Sequence, residues 1–466
     1  MKRLSKWLPI IAFIALLLPL AFIVLFSFPT YDDFDLYYYM SGQWSLGMGI
    51  KRTIWMYRTW SGDWLATFFQ MVLNPLLFFG YNSLGYGIVM LLLDGLFLGT
   101  LIFFACTLMN VVCGVEDSTM LKWCVFALIA PFLTGFAYYE IYSWFDGFCY
   151  GMYRGFFLMA VAFIIRYYYH ATRYNLVMMI IFGCFNCVNL PTCVPIGLIY
   201  LYIWWNEPMD RGKRYFRHLI PLMLYVMTAL TNVIAPGNYG RQDVATEVTA
   251  GVGKSIIYAA YFCLRRALTV LCNWPVLIGL MVLFMLGMIV GKKVTSEVMH
   301  PIRLLILMMV GIWGAIVPVA IGYSSWVMPN RICFIFDCLF MMSVGFVLFV
   351  TGQFAGERWS FTDRTVYKVI FALVITAGFV TLLYSRNSPW TMAVTSPEAV
   401  LQEREANLEI LDDIYGSIEE EVTVTSAPVP TTGVYSYVGL TEDSSWPNGP
   451  IAYYFSKKDV RIQWTD

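Results

Sequence analysis

The sequence predicts an all-α polytopic membrane protein of about eleven transmembrane helices, followed by a small α+β unit at the C-terminal end. Three observations predict it. Of 466 residues, 59% are apolar and 13% charged, too few charges for a soluble chain of that length. Apolar runs near twenty residues, the length that crosses a bilayer as a helix, recur up to position 384. The 31 Tyr and 16 Trp suit a protein with many membrane-water boundaries, where amphipathic rings settle. A soluble enzyme is thereby excluded. Thirty basic residues balance thirty acidic ones, and no basic helix or stacking groove appears, so no nucleic-acid partner is expected.

The run 7–28 is too long for a signal-peptide core and lacks a small-residue cleavage site, so it is read as an anchor. Further spans follow at 84–110, 120–138, 150–169, 176–190, 192–206, 218–235, 272–290, 302–321, 331–350 and 368–384. Alternate connections carry the basic groups: Lys2, Arg3 and Lys6; Lys122, Arg166 and Arg173; Arg211, Lys213, Arg214 and Arg217; Lys292, Lys293 and Arg303; Arg358, Arg364 and Lys368. The excess of positive charge on cytoplasmic loops puts the N-terminus inside and the C-terminus outside. The stretch 65–79 is interrupted by Gln70, Asn74 and Pro75 and reads as an interfacial or re-entrant helix, as does 255–269. Counting 65–79 as a span would turn the dense basic loops outward.

The long connections 29–83 and 236–271 then share the extracytoplasmic side with the tail, 385–466, and residues 1–384 form the membrane domain. The tail is read as a separate small domain, with thirteen acids against five bases. Ser396-Pro397-Glu398 marks a helix start, Val400, Leu401, Leu408, Leu411 and Tyr415 one face, and Gly416 a stop. Segments 421–425, 434–438 and 460–464 have strand composition. The eleven cysteines end at Cys338 and lie mostly in apolar runs as small hydrophobes, so neither a disulfide scaffold nor a metal role for Cys184 and Cys187 is expected.

Two acidic groups stand at the membrane edge. Asp32, Asp33 and Asp35 follow the first span directly; crowded acids there raise one another's pKa, and one can serve as a general base. Asp33-Phe34-Asp35 also has DxD spacing, which makes Asp33 and Asp35 candidate ligands of a divalent cation such as Mg or Mn. Glu140 and Asp146 lie among Tyr138, Tyr139, Tyr142, Trp144 and Phe145, and aromatic faces beside carboxylates suit a sugar ring. The plain alternatives are a hydrated loop and an aromatic belt.

Basic groups on the same side include Arg58, Arg154, Arg241, Arg265, Arg266 and Arg331. Arg241, in the turn Pro236-Gly237-Asn238-Tyr239-Gly240-Arg241, is placed to fork onto a phosphate at headgroup depth, and Arg331 follows Pro329-Asn330 at the start of a span. Arg265 and Arg266 are equally suited to snorkelling toward headgroups. Asp94 and Asp337 sit within spans and must be paired or face a cavity. His170, His218 and His300 all fall at cytoplasmic ends, which removes histidine chemistry from an outer site. Carboxylates and arginines are left to do the work.

These segments resemble the multi-span glycosyltransferases of the GT-C class, in a bacterial branch of these envelope proteins. The resemblance covers most of the chain and rests on Asp32-Asp33-Phe34, Tyr57 to Gly62, the Trp144 loop, Pro236-Gly237-Asn238 with Arg241, and Trp446-Pro447-Asn448 with Ala452-Tyr453-Tyr454. It implies a GT-C-like fold in the bacterial cytoplasmic membrane. It also implies transfer of a sugar, with inversion, from a polyprenyl-phosphate donor to an envelope glycan or lipid-linked acceptor outside. Asp32 or Asp33 would take the acceptor's proton. Arg241, helped by Arg58 or Arg331, would neutralise the leaving phosphate, and Glu140, Trp144, Asp146 and Asn238 would hold the substrates. Many members of the class work without a metal, so a divalent cation is optional. Gly62-Asp63 departs from the expected pattern, which has arginine after the glycine. The competing expectations are a secondary transporter or lipid flippase, disfavoured by the lack of a repeat, and a non-catalytic envelope glycan-binding protein.

Overall fold

The structure is a computed structural model that describes residues 2–134, 139–205, 211–245, 251–291, 300–358, 373–374, 376–378, 380–381, 388–435 and 437–465. Side chains are additionally undescribed at 2–5, 139, 211–218, 241–245 and 358. The chain is predominantly helical and carries five helices long and apolar enough to cross a membrane, or six if one bent pair is a single span.

The first is α1 (Lys2–Leu25). Three short elements follow it: α2 (Tyr31–Tyr39), α3 (Leu46–Thr59) and α4 (Trp64–Leu73). The ten residues of α4 rise about 15 Å, half a hydrocarbon core. The helix stops at Asn74, whose side chain caps a 3-10 turn begun by Pro75, so 65–79 is a broken helix too short to span.

Next come α5 (Leu84–Thr107, extended by a π turn at Leu108–Val112), α6 (Ser118–Thr134), α7 (Tyr139–Tyr142), α8 (Phe148–Tyr169), α9 (Arg173–Cys187) and α10 (Leu190–Trp205). They are followed by α11 (Arg211–Val233), α12 (Pro236–Ala245), α13 (Val252–Leu271), α14 (Trp274–Val290), α15 (Pro301–Tyr323) and α16 (Asn330–Arg358). Of the eleven expected spans, five pass as full-length crossings: those in α1, α5, α8, α15 and α16. Those in α6, α9, α10 and α11 are apolar but shorter, and 272–290 is one arm of the bent pair. The last, 368–384, falls largely outside the described residues. The second interfacial candidate, 255–269, is α13, which meets α14 at 80° and leaves Ile257, Leu264 and Leu268 exposed. An apolar face beside a sharp bend suits a helix at the bilayer surface.

At the centre lies α16, most of its span buried. Its contact with α14 is made by small residues: a Cβ added at Gly352 would stand 2.1 Å from the Phe284 carbonyl oxygen, and one at Gly356 2.4 Å from that of Met288. On the partner helix, Gly287 lies equally close to Phe349. Such a small-xxx-small seam lets two backbones touch. Gln353 between the glycines donates to the Cys113 and Gly291 carbonyls, tying three elements at one depth. Asp337 is not isolated: Arg266 grips it with Nε, at 2.8 Å, and Nη2, so that half-buried guanidinium is the counter-ion of a buried acid. Asp94 is buried, and its carboxyl oxygens have no hydrogen-bond partner among the described residues.

After α16 the described tail comprises α17 (Pro389–Thr395), α18 (Pro397–Gly416), β1 (Glu421–Ser426), α19 (Asn448–Tyr454) and β2 (Asp459–Trp464). The expected helix has the expected limits, Pro397 in its first turn and Gly416 at its end. β1 and β2 pair in parallel from Glu421 opposite Asp459 to Ser426 opposite Trp464. The expected strand at 434–438 is absent among its described residues: Val434 and Tyr435 are turned into the core instead. Nor does the tail stand apart. Its core runs on into Ile23, Phe28 and Phe34, and Tyr435 Oη and Arg404 Nε donate to the Ile23 and Phe26 carbonyls at 2.9 Å each.

Candidate active site

The chain connections meet at one end of the bundle. Gly62 N donates to Asn238 Oδ1 at 2.8 Å, and Tyr57 Oη to the Thr231 carbonyl at 2.7 Å, so the Tyr57–Gly62 and Pro236–Asn238 segments interlock. Glycine is needed there, because a Cβ at Gly62 would lie 2.5 Å from the Asn232 oxygen. The tail joins through Ser143, whose hydroxyl donates to the Val434 carbonyl.

Between these segments opens a cleft of about 1780 Å³. Its carboxylates are Asp32, Asp35, Asp63 and Asp146, its cation is Arg331, and Trp144 and Trp446 are among its aromatic walls. Asp32 and Asp35 are three apart on α2 and so share a face, whereas Asp33 is turned about 100° from Asp32. Asp33 is fully buried beneath the cleft. Its Oδ2 accepts from Thr30 N at 2.9 Å and Tyr86 Oη at 2.7 Å, and its Oδ1 from Asp146 N at 3.3 Å. Tyr86 Oη in turn accepts from Phe145 N, and Asn74 donates to the Asp33 carbonyl. One residue, through its carboxylate and its main-chain carbonyl, therefore fixes the start of α2, the broken helix and the Asp146 loop.

Asp146 is oriented by Gln70, whose amide donates to its Oδ1 at 2.6 Å. Glu140 lies outside the cleft lining. It accepts from Arg331 N at 3.1 Å and faces the guanidinium at 3.5 Å, so it is the counter-ion of Arg331 rather than a sugar ligand. The Arg331 guanidinium lies 6.0 Å from the Trp144 ring, which packs on Tyr31 at 5.3 Å. The buried Trp144 indole N–H has no acceptor among the described residues.

Burial and mutual repulsion set the charge state. Asp32 is pushed well above the carboxylate range by burial first, then by Asp146, Asp33 and Asp35, with Arg331 pulling back. Burial raises Asp33 to about 7 against the hydrogen bonds from Thr30 and Tyr86. Burial and then Asp146 raise Asp35 to about 6. The cleft thus stores protons near neutral pH.

The expected metal pair does not fit. Residues two apart on a helix point to opposite sides, and Asp33 spends both oxygens on protein donors. Among the described residues, no group of three or more His, Cys, Asp or Glu is placed to hold a metal ion. Arg58 is exposed on α3, outside the cleft lining, and Asn238 also lies outside that lining, its Oδ1 accepting from Gly62 N. The Arg241 side chain and Tyr138 lie outside the described residues. Sequence reasoning missed Asp63, Gln70 and Tyr86 as site residues. Gln70 and Tyr86 sit in apolar stretches with no local signal, and Asp63 stood out only as a departure from pattern. No protein family, no curated protein and no solved structure matches the chain.

Proposed function

We propose that the protein is a GT-C-type glycosyltransferase of the bacterial cytoplasmic membrane, moving a sugar from a polyprenyl-phosphate donor to an envelope glycan or lipid-linked acceptor. The cleft and tail face the outside on this reading, and the shorter apolar helices complete the set of crossings. One observation carries it. The polar cleft shares Ala66, Gln70 and Cys149 with an apolar groove of about 950 Å³ between α4, α5 and α8. Leu73 and Leu96 line that groove and are exposed, at 40% and 68%, so it is open on the apolar flank of the bundle. A polar chamber that shares a wall with an apolar groove suits a substrate that is half lipid and half headgroup.

Asp32 is the base. Its carboxylate takes the proton of the acceptor hydroxyl as that oxygen bonds to the anomeric carbon. The bond from that carbon to the phosphate oxygen breaks, and the electron pair leaves on the polyprenyl phosphate, whose charge Arg331 meets. The aromatic rings pack on the C–H face of the sugar, and the Trp144 N–H is a waiting donor. A divalent cation, if used, has no site at Asp33 and Asp35.

The test is incubation of the purified protein with a panel of polyprenyl-phosphate sugars, with and without Mg²⁺ or Mn²⁺. Release of polyprenyl phosphate is followed by mass spectrometry. Donor-dependent release that stops in Asp32→Asn supports the assignment; no release from any donor together with no donor binding overturns it.

A further inference from the structure

A second chamber, of about 1280 Å³, adjoins the cleft and shares Ser61, Asp63 and Tyr150 with it. Asn189, Asn232 and Asn238 are among its lining residues, as are Pro318, Val319 and Ile335. Among the described residues no lysine or arginine lines it, in contrast to the cleft with Arg331. We propose that this amide-lined chamber binds a neutral, hydroxyl-rich saccharide, and that this saccharide is the acceptor.

The chemistry of the walls selects that ligand. An anion entering the chamber finds no cation to replace its water, and a purely apolar molecule would strip water from three carboxamides. A sugar offers hydroxyls to the amides and a C–H face to the proline, valine and isoleucine. The amides are already fixed. Asn232 Nδ2 donates to the Val188 carbonyl at 2.6 Å, and Asn238 Nδ2 to the Asn232 carbonyl at 2.7 Å. Among the described residues Asn232 Oδ1 accepts only from Asn238, and Asn238 Oδ1 only from Gly62 N, so each keeps a lone pair for a ligand hydroxyl. Preset polar groups of this kind bind without first paying to be ordered.

The threshold is equally fixed. Asp63 accepts from Tyr153 Oη and, at 3.3 Å, from Asn189 Nδ2. Asn189 Oδ1 accepts from Arg154 Nη2 at 2.6 Å, and Arg154 is fully buried with no partner for Nε or Nη1 among the described residues. Asp63 is the anion opposite that buried charge, held through one amide. It is a positioning residue at the door between chamber and cleft, where an acceptor hydroxyl must pass to reach the anomeric carbon.

The acceptor role rests on the transferase reading; the saccharide site does not, so the two are tested apart. Gly322 lines the chamber, and a Cβ there meets nothing within 4 Å, so a larger side chain can be added at the chamber wall without a clash at its root. Purified full chain, Gly322→Ala and Gly322→Trp are titrated with neutral tetrasaccharides of glucose, galactose, mannose and rhamnose, followed by saturation-transfer NMR. The expected result is binding of at least one saccharide by wild type and Gly322→Ala, with a tenfold or greater loss in Gly322→Trp of unchanged thermal melt. Equal binding by all three proteins, or binding by none, overturns the chamber. Saccharide binding with neither turnover nor binding of any lipid donor would sink the transferase reading and leave the chamber standing.

Discussion

The amide of Asp146 donates to Oδ1 of Asp33 at 3.3 Å across 113 residues of sequence, so the acid below the cleft positions the acid that faces into it. Asp32 and Asp33, neighbours in the chain, consequently have separable roles. Asp32→Asn is expected to leave the melting temperature within a degree or two and to cut sugar transfer at least a hundredfold. Asp33→Asn strips an acceptor from Thr30 N or Tyr86 Oη and is expected to cost about 1–3 kcal/mol, visible as a lower melt before any assay is run. Matched melts for the two variants would refute the division.

The stored protons give the fold a pH dependence of known sign. Asp33 and Asp35 have pKa values near 7 and 6 in the folded protein against 3.8 ordinarily, so the folded state holds more protons than the unfolded one between those values. Stability is therefore greatest below about pH 4, as far as these groups go, and declines as pH rises through 6 and 7. Asp32 extends the decline higher. Turnover should move the other way, rising with pH as Asp32 ionises. Thermal melts and donor release measured from pH 5 to 9 check both; parallel trends would contradict the assignment.

Arg331 is held by Glu140 and faces Trp144. Arg331→Gln removes charge-assisted bonds to a phosphate worth about 1.5–3 kcal/mol, equivalent to roughly 10–100-fold in affinity. Lipid-donor binding should fall by that factor while neutral saccharide binding is unchanged. Glu140→Gln should show a smaller effect of the same pattern, since it loosens the guanidinium without removing it. A loss of saccharide binding equal to the loss of donor binding would move Arg331 off the phosphate.

The seam between α14 and α16 permits a stability test away from the cleft. Gly352→Leu drives a side chain into the Phe284 carbonyl and is expected to cost more than about 2 kcal/mol, read as a lower melt in detergent. Gly99→Leu, on a helix where a Cβ meets nothing within 4 Å, is the control and should melt with wild type.

Much of the helical order follows from apolar runs and a few stops, because burying a run of twenty apolar residues leaves the backbone little choice but a helix. Pro397 and Gly416 mark the ends of α18 for the same local reason. Pairings across the chain are another matter. Arg331 with Glu140 spans 191 residues, and Arg266 with Asp337 spans 71; no local pattern encodes either. The three acids after the first span were visible as a cluster, but which of them faces the cleft depended on their lying on a helix rather than in a loop. The strand expected at 434–438 had the right composition and no neighbour to pair with; its Val and Tyr side chains found the end of α1 instead.

That docking orders events in time. Ile23 and Tyr435 are 412 residues apart, and ribosomes make the first long before the second. The end of α1 and the buried ring of Phe34 wait uncovered through most of synthesis, and Trp446, a wall of the cleft, arrives among the late pieces. A chain cut short inside the tail thus has its helices but lacks the Trp446 wall of its cleft.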